Sequence, residues 1–155
     1  MKKLILVLIW GLNPVYLHAQ ESSLNLALGS FDVSHSATAM GQIEYAFATE
    51  WSGFKPHLGL FFTTDSAAYL YAGVGYPFSI NNKWSLTPSL SAGYYNDGAD
   101  TELGYDVEFY SQLRLEYNLE NDAKIGLGFG HISNCDLGDR NPGAEIIYLN
   151  YSISL

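Results

Sequence analysis

The chain has 155 residues, of which 48% are hydrophobic, 15% aromatic and only 15% charged, and its net charge is -9 at pH 7. This length fits one ordinary domain, and the apolar content excludes a disordered chain. Seven Lys and Arg residues against 16 Asp and Glu argue against a nucleic-acid-binding protein, which needs a basic face to meet phosphates. Because Cys135 is the one cysteine, the chain has neither an intrachain disulfide framework nor a zinc finger.

The first residues have the features of an export signal. A basic start is followed by the apolar run 4–10, and a segment that resembles a cleavage site ends at Ala19. The apolar run is too short to span a membrane as a helix. We therefore expect residues 1–19 to be a secretory signal peptide, cleaved after Ala19 or Gln20, and residues 20–155 to form a single exported, acidic domain.

After residue 20, apolar and polar residues alternate with a period of two. Between Leu103 and Tyr117 the odd positions are mostly apolar and the even positions mostly polar, a pattern that a strand separates onto two faces and a helix would mix. Eight such segments follow one another, at about 23–31, 39–49, 54–63, 68–80, 84–95, 103–118, 123–133 and 144–154. Their connections alternate between short and long, apart from the short link 64–67. The pattern predicts an all-β fold, an eight-stranded antiparallel up-and-down barrel.

Two kinds of barrel share this outline. In a soluble lipocalin-like carrier the apolar face points inward and holds a ligand, whereas in an outer-membrane barrel the apolar face points outward to lipid. The alternation by itself does not distinguish the two orientations.

Three features favour a transmembrane barrel. The polar face carries charges of both signs, which suit a narrow lumen filled by ion pairs, at Glu44, Lys55, His57, Asp106, Glu108, Arg114, Glu116 and Lys124. The same face is rich in small residues that fit a narrow interior, at Gly73, Gly75, Ser85, Ser89, Ser91, Gly93, Gly126, Gly128 and Gly130. Aromatic residues recur at segment ends of the apolar face, as interfacial girdles do, at Phe54, Phe62, Phe78, Trp84, Tyr94, Tyr105 and Tyr117. We therefore expect a multi-pass protein of the bacterial outer membrane, with both termini and the short turns in the periplasm and the long loops outside.

Three polar residues lie on the apolar row of the last two segments. The row of alternating residues that includes Phe129 continues to His131 and Ser133, and the row that includes Ile147 extends back to Glu145. Each alone is typical of a residue in the headgroup zone, but together they are the residue types of a serine-hydrolase triad. Residues i and i+2 of a strand stand about 7 Å apart on one face, and an imidazole can lean to meet a hydroxyl.

The register between the last two strands decides whether Glu145 lies beside His131 and Ser133. If paired residue numbers sum to 276, Glu145 faces His131, Ile147 faces Phe129 and Gly143 faces Ser133. In that arrangement an imidazole, which titrates near neutral pH, takes the serine proton, and the carboxylate fixes the imidazole. The turn-rich loop 134–143 would supply N–H donors to the tetrahedral oxyanion.

The residues of this hairpin resemble a known family. The stretch 130–134, Gly-His-Ile-Ser-Asn, followed by 141–145, Asn-Pro-Gly-Ala-Glu, resembles the C-terminal signature of the PagL family of outer-membrane lipid A 3-O-deacylases, often labelled acyloxyacyl hydrolases. The spacing of 12 residues from the Ser to the Glu is also similar. This specific resemblance covers the last two segments, while the remainder is similar in strand pattern and size. The chain departs from the pattern at Cys135, where Ala or Gly is expected, and at Leu155, where many outer-membrane barrels end in Phe or Trp.

The resemblance implies a serine esterase that hydrolyses the acyl ester at position 3 of lipid A in the outer leaflet and releases a 3-hydroxy fatty acid. It implies three catalytic residues, with His131 as base, Ser133 as nucleophile and Glu145 as orienting acid. It also implies oxyanion donors in the following loop, around Asn134, Asn141 and Gly143.

The implied reaction leads to expectations about the acyl-chain contacts, the cofactors and the partners. The acyl chain is expected to lie along the apolar row, against Phe129, Ile147 and Leu149. The reaction needs no cofactor or metal, and because the histidines are widely scattered in the sequence we expect no metal site. The expected partners are lipid A or lipopolysaccharide as substrate and outer-membrane lipid, with no nucleic acid. The sequence leaves open whether the protein forms a homodimer.

Two alternatives remain at this point. One is a non-catalytic barrel with a structural or adhesive role, for which replacing Ser133 leaves lipid A unchanged. The other is the secreted lipocalin-like carrier, which would contain an apolar cavity where the barrel hypothesis predicts charges.

Overall fold

The computed structural model describes residues 21–155, so the predicted signal peptide lies outside the described residues. The strands are β1 (Ser23–Phe31), β2 (Thr38–Ala46), β3 (Lys55–Thr63), β4 (Ala68–Gly75), β5 (Phe78–Ser79), β6 (Trp84–Asn96), β7 (Val107–Asn118), β8 (Lys124–Ser133) and β9 (Ala144–Ser154). All pairings are antiparallel, β1 pairs with β9, and β4 pairs with β6, so the sheet closes on itself. The two residues of β5 continue β4 along β6. The predicted eight-stranded antiparallel barrel is therefore confirmed. Within 21–155, no helix has the length and apolar character to cross a membrane.

Three segments differ from the sequence prediction by more than one residue. The segment 68–80 is interrupted before Phe78 because Pro77 has no N–H to donate to the ladder. The second segment ends at Ala46 instead of 49, although the Phe47 N–H still donates to the Pro56 carbonyl.

The largest difference concerns β7, which corresponds to the predicted segment 103–118 but begins at Val107. The alternation before Val107 belongs to a loop. Leu103 is buried in the core, whereas Tyr105 and Asp106 are exposed in that loop. The placement of Leu103 on the lipid face and of Asp106 in the lumen was therefore wrong.

The connections divide the barrel into two ends. The chain termini and the connections 47–54, 80–83 and 119–123 lie at what we call the terminal end. The connections 32–37, 64–67, 97–106 and 134–143 lie at the other end, which we call the loop end. The last hairpin, β8–β9, therefore turns at the loop end, and its loop is among the longest of the barrel.

The lumen is filled by polar groups and tyrosines. Glu44 accepts a hydrogen bond from Arg114 Nη1 at 3.0 Å and from the Tyr71 hydroxyl at 3.1 Å. Nearer the loop end, aromatic rings pack against one another at Phe31, Phe61, Tyr69, Tyr71, Tyr95 and Tyr110. The small lumen residues provide the necessary space, since a Cβ at Gly128 would overlap the Tyr148 ring. These contacts confirm the predicted inward orientation of the polar face.

The outer wall is an apolar surface. Its exposed side chains include Leu28, Leu60, Phe62, Leu70, Leu90, Leu113, Leu127, Phe129, Ile147 and Leu149. A water-soluble barrel buries such residues, whereas a membrane barrel presents them to lipid. The apolar face points outward and the lumen holds charges, so the lipocalin-like alternative is wrong.

Candidate active site on the outer wall

The register of the last hairpin brings two of the predicted residues together. In the β8–β9 ladder His131 pairs with Glu145, Phe129 with Ile147, and Ile132 with Ala144. The predicted register is thereby confirmed over the strands. The ladder ends at Ile132 and Ala144, so the expected pairing of Ser133 with Gly143 lies beyond it.

His131 and Glu145 form a partly exposed pair on the outer wall. His131 Nδ1 lies 3.5 Å from Glu145 Oε1, and the side chains are 44% and 31% exposed. Both stand on the row that carries Phe129 and Ile147, at the point where this row reaches the loop end. A carboxylate at Nδ1 leaves Nε2 as the ring nitrogen for a second partner, which is the arrangement of a base held by an acid.

Two serines are neighbours of His131 in the sheet. Ser133 is the last residue of β8, two residues beyond His131 on the same face, and pairs with Phe109 of β7. Ser111 of β7 pairs directly with His131, and its Oγ donates to the His131 carbonyl at 3.3 Å. The hydrogen bonds of residues 21–155 do not include one between Ser133 and the His131 ring. Ser111 was not singled out from the sequence, because the antiparallel pairing of β7 with β8 is what places it there.

Asn134 connects the loop 134–143 to its surroundings. Its side chain is fully buried, and its Nδ2 donates to the carbonyls of Leu103 at 2.8 Å and Arg140 at 2.9 Å. Its backbone N–H donates to Asn141 Oδ1 at 3.0 Å, and Asn141 Nδ2 donates to Asp136 Oδ1 at 3.3 Å. Both asparagines therefore hold the loop together, and the oxyanion role expected of them stays a prediction.

Gly143 shapes the other side of the histidine. Its φ is +64°, a left-handed conformation that glycine adopts without a steric cost. The His131 ring lies in the space that a side chain at Gly143 would occupy. The imidazole thus lies between Glu145, which is on β9, and Gly143, which is the last residue of the loop before β9.

Comparison with known proteins identifies the family. A family model described as Lipid A 3-O-deacylase (PagL) matches residues 16–154. The chain belongs to the PagL family. A curated relative, the lipid A deacylase PagL of Bordetella bronchiseptica, is 33% identical over 54 residues, which are 35% of this chain. The alignment spans only 30% of that relative's length.

Solved structures share the PagL-family fold at low identity. The crystal structure of the outer-membrane enzyme PagL has a TM-score of 0.69 and 15% identity, covering 86% of this chain and 99% of that one. A de novo designed transmembrane β-barrel has a TM-score of 0.67 and 9% identity, covering 89% and 98%. These likenesses establish the fold, an outer-membrane type of β-barrel.

In this PagL-family chain the residues predicted to contact the acyl chain form a continuous strip. Phe129, Ile147 and Leu149 are 50%, 45% and 65% exposed. The Leu127–Leu149 pair follows the Phe129–Ile147 pair on the side of the terminal end. The strip therefore runs from the His131–Glu145 pair towards the terminal end. The structure brings the predicted catalytic and acyl-contact residues onto one face of two strands.

A second group of side chains beside Glu145 was missed. Asp32, His35 and Glu145 place one ligating atom each within 4.8 Å of one another. The sequence prediction expected no metal site because the histidines are widely scattered, and although Asp32 and His35 are close in the chain, Glu145 lies far from both. Their proximity follows from the closing pairing of β1 with β9, which no local pattern encodes.

Proposed function

We propose that the chain is a serine esterase that hydrolyses the acyl ester at position 3 of lipid A and releases a 3-hydroxy fatty acid. Ser133 is the nucleophile, His131 the general base and Glu145 the residue that orients the imidazole. The observation that carries the proposal is the His131–Glu145 pair on the lipid-facing wall, two residues from Ser133, in a chain of the PagL family.

The proposed reaction has two steps. In the first, Ser133 Oγ bonds to the ester carbonyl carbon while His131 Nε2 takes the hydroxyl proton, and that proton then passes to the departing sugar oxygen. In the second, water attacks the acyl-enzyme, His131 takes its proton, and Ser133 leaves as the protonated hydroxyl. Glu145 stabilises the imidazolium present during both steps, and N–H groups of the loop 134–143 meet the oxyanion.

The place of the site on the barrel supports this substrate. Lipid A occupies the outer leaflet of the outer membrane, so an enzyme acting on it needs a site that faces lipid at the outer boundary. The proposed orientation therefore has the loop end outside the cell and both termini in the periplasm, as in bacterial outer-membrane barrels generally. The acyl chain would lie along Phe129, Ile147 and Leu149, and would remain in an apolar environment throughout the reaction.

The decisive experiment compares two serines beside the same histidine. Cells expressing the intact protein, Ser133→Ala or Ser111→Ala at matched membrane levels are analysed by mass spectrometry of lipid A. We expect loss of one 3-hydroxyacyl group with the intact protein and with Ser111→Ala, and an unmodified lipid A with Ser133→Ala. Modification by Ser133→Ala but not by Ser111→Ala would instead make Ser111 the nucleophile.

The alternative of a non-catalytic barrel has its own test. If lipid A is unchanged in cells expressing the intact protein, the purified barrel is assayed on lipopolysaccharide in detergent. Release of a 3-hydroxy fatty acid there would identify an enzyme that is latent in the native membrane. Absence of release in detergent as well would refute the esterase proposal.

A further inference from the structure

A group of potential metal ligands adjoins the hydrolytic residues. Asp32 and His35 lie in the connection between β1 and β2, and Glu145 is the second residue of β9. One ligating atom from each lies within 4.8 Å of the other two. Asp32 Oδ1 is 3.2 Å from His35 Nδ1.

The backbone holds these residues in place. Phe31 pairs with Ile146 in the β1–β9 ladder, and the Val33 N–H donates to the Glu145 carbonyl at 3.1 Å. The connection that carries Asp32 is therefore fixed to the strand that carries Glu145.

The carboxylate of Asp32 is fixed as well. It is only 1% exposed, and its Oδ2 accepts a hydrogen bond from Thr101 Oγ1 at 2.6 Å, which leaves Oδ1 directed towards His35. The His35 side chain is 73% exposed, so its ring is able to adjust to a cation. One donor is therefore buried and held by a hydrogen bond, and another is accessible to solvent.

We propose that Asp32, His35 and Glu145 form a binding site for a divalent transition-metal cation, for which Zn²⁺ is the best match. One imidazole and two carboxylates are ligands that Zn²⁺ accepts, and three protein ligands leave a fourth position for water. Ca²⁺ and Mg²⁺ fit less well, because they prefer all-oxygen ligand sets with more donors.

Such a cation would regulate the adjacent site, an inference that rests on the proposed esterase function. Glu145 is shared, since its Oε1 also lies 3.5 Å from His131 Nδ1. A cation bound to Glu145 competes with the imidazole for the carboxylate charge, and it repels the imidazolium that forms during the reaction. Zn²⁺ therefore inhibits hydrolysis.

The binding test uses the folded barrel in detergent without a histidine tag. Isothermal titration with ZnCl₂ compares the intact protein, His35→Ala and Asp139→Asn, the last removing an exposed carboxylate of the loop 134–143. Loss of even an outer partner of a metal ligand weakens metal affinity about 10–100-fold, so we expect His35→Ala to weaken Zn²⁺ binding roughly 100-fold. Asp139→Asn is expected to bind one Zn²⁺ as the intact protein does. Equal affinity of His35→Ala and the intact protein, or no saturable binding by the intact protein, would overturn the site.

A second measurement separates the site from its regulatory role. Zn²⁺ is added to the lipid A hydrolysis assay of the intact protein and of His35→Ala, whose activity without metal should match. We expect inhibition of the intact protein at the concentrations that saturate the calorimetric site, and none of His35→Ala at those concentrations. Binding without inhibition would refute the regulatory role. If the intact protein hydrolyses no lipid A, the titration still decides whether the cation site exists, so the two proposals fail separately.

Discussion

The imidazole of His131 lies against the backbone of Gly143, so that a Cβ added at Gly143 would lie 2.8 Å from the ring's Cε1 and 3.2 Å from its Nε2. Nε2 is the nitrogen that faces away from Glu145, and it is the atom that the proposed mechanism uses as the base. The absence of a side chain at position 143 therefore makes room for the imidazole, and the φ of +64° there also favours glycine.

We predict that Gly143→Ala lowers kcat strongly while the barrel still folds. The added methyl group displaces the His131 ring, and a displacement of about 1 Å at a reacting group can cost 100-fold in rate. The control is Gly53→Ala, which has a similarly positive φ of +88° but lies in a turn at the terminal end. Folding is followed by the heat-dependent shift in electrophoretic mobility, and equal activity of the two variants would contradict the role assigned to Gly143.

Replacement of the orienting acid should reduce catalysis without abolishing it. Glu145→Gln retains an oxygen that can accept from His131 Nδ1 but removes the charge that stabilises the imidazolium. Because the pair is partly exposed, we expect a fall in kcat of roughly 100-fold, less than the loss caused by replacing a buried triad acid. Steady-state hydrolysis of solubilised lipopolysaccharide separates kcat from KM. An unchanged kcat with a raised KM would show that Glu145 binds substrate and does not orient the base.

The buried amide of Asn134 should govern the stability of the active-site loop. Asn134→Ala leaves the carbonyls of Leu103 and Arg140 without their donor, and the loss at the buried Leu103 carbonyl costs about 1–3 kcal/mol. We expect faster tryptic cleavage after Arg140 and lower activity, with an intact barrel. The matched control is Asn82→Ala in an exposed turn at the terminal end, which should leave both properties unchanged. If trypsin cleaves Asn134→Ala at the same rate as the intact protein, the loop is held by other contacts.

The outer strip below the catalytic pair should contribute to substrate binding. Leu149→Ala removes an apolar side chain from the proposed path of the acyl chain, and we expect KM to rise several-fold, since each buried methylene contributes about 0.8 kcal/mol. Leu70→Ala is the matched control, because Leu70 is 56% exposed on β4, four strands away in either direction around the barrel. Equal KM values for the two variants would place the acyl chain elsewhere on the wall.

Some sequence inferences failed for identifiable reasons. The alternation around Leu103 and Tyr105 continues the pattern of β7, but the chain there has left the sheet. The Leu103 side chain is buried in the core, and its carbonyl accepts a hydrogen bond from Asn134 Nδ2. Period-two alternation reports which residues share a face and does not report where the ladder of hydrogen bonds ends. The break before Phe78 could have been predicted, since Pro77 lacks an N–H.

The amino-acid sequence alone predicted most of the strands, their two faces and a hairpin register that would pair His131 with Glu145, because alternation and turn residues are local properties of the chain. His131 and Glu145 share a short hairpin, so their pairing followed from the alternation and the family signature. The positions of Ser111, Asp32 and His35 around this pair became evident only in the folded barrel. Those contacts depend on the register of β7 against β8 and of β1 against β9. Alternation within a strand shows which residues share a face, but a register shifted by two residues leaves both faces unchanged, so alternation does not fix which residue each one opposes.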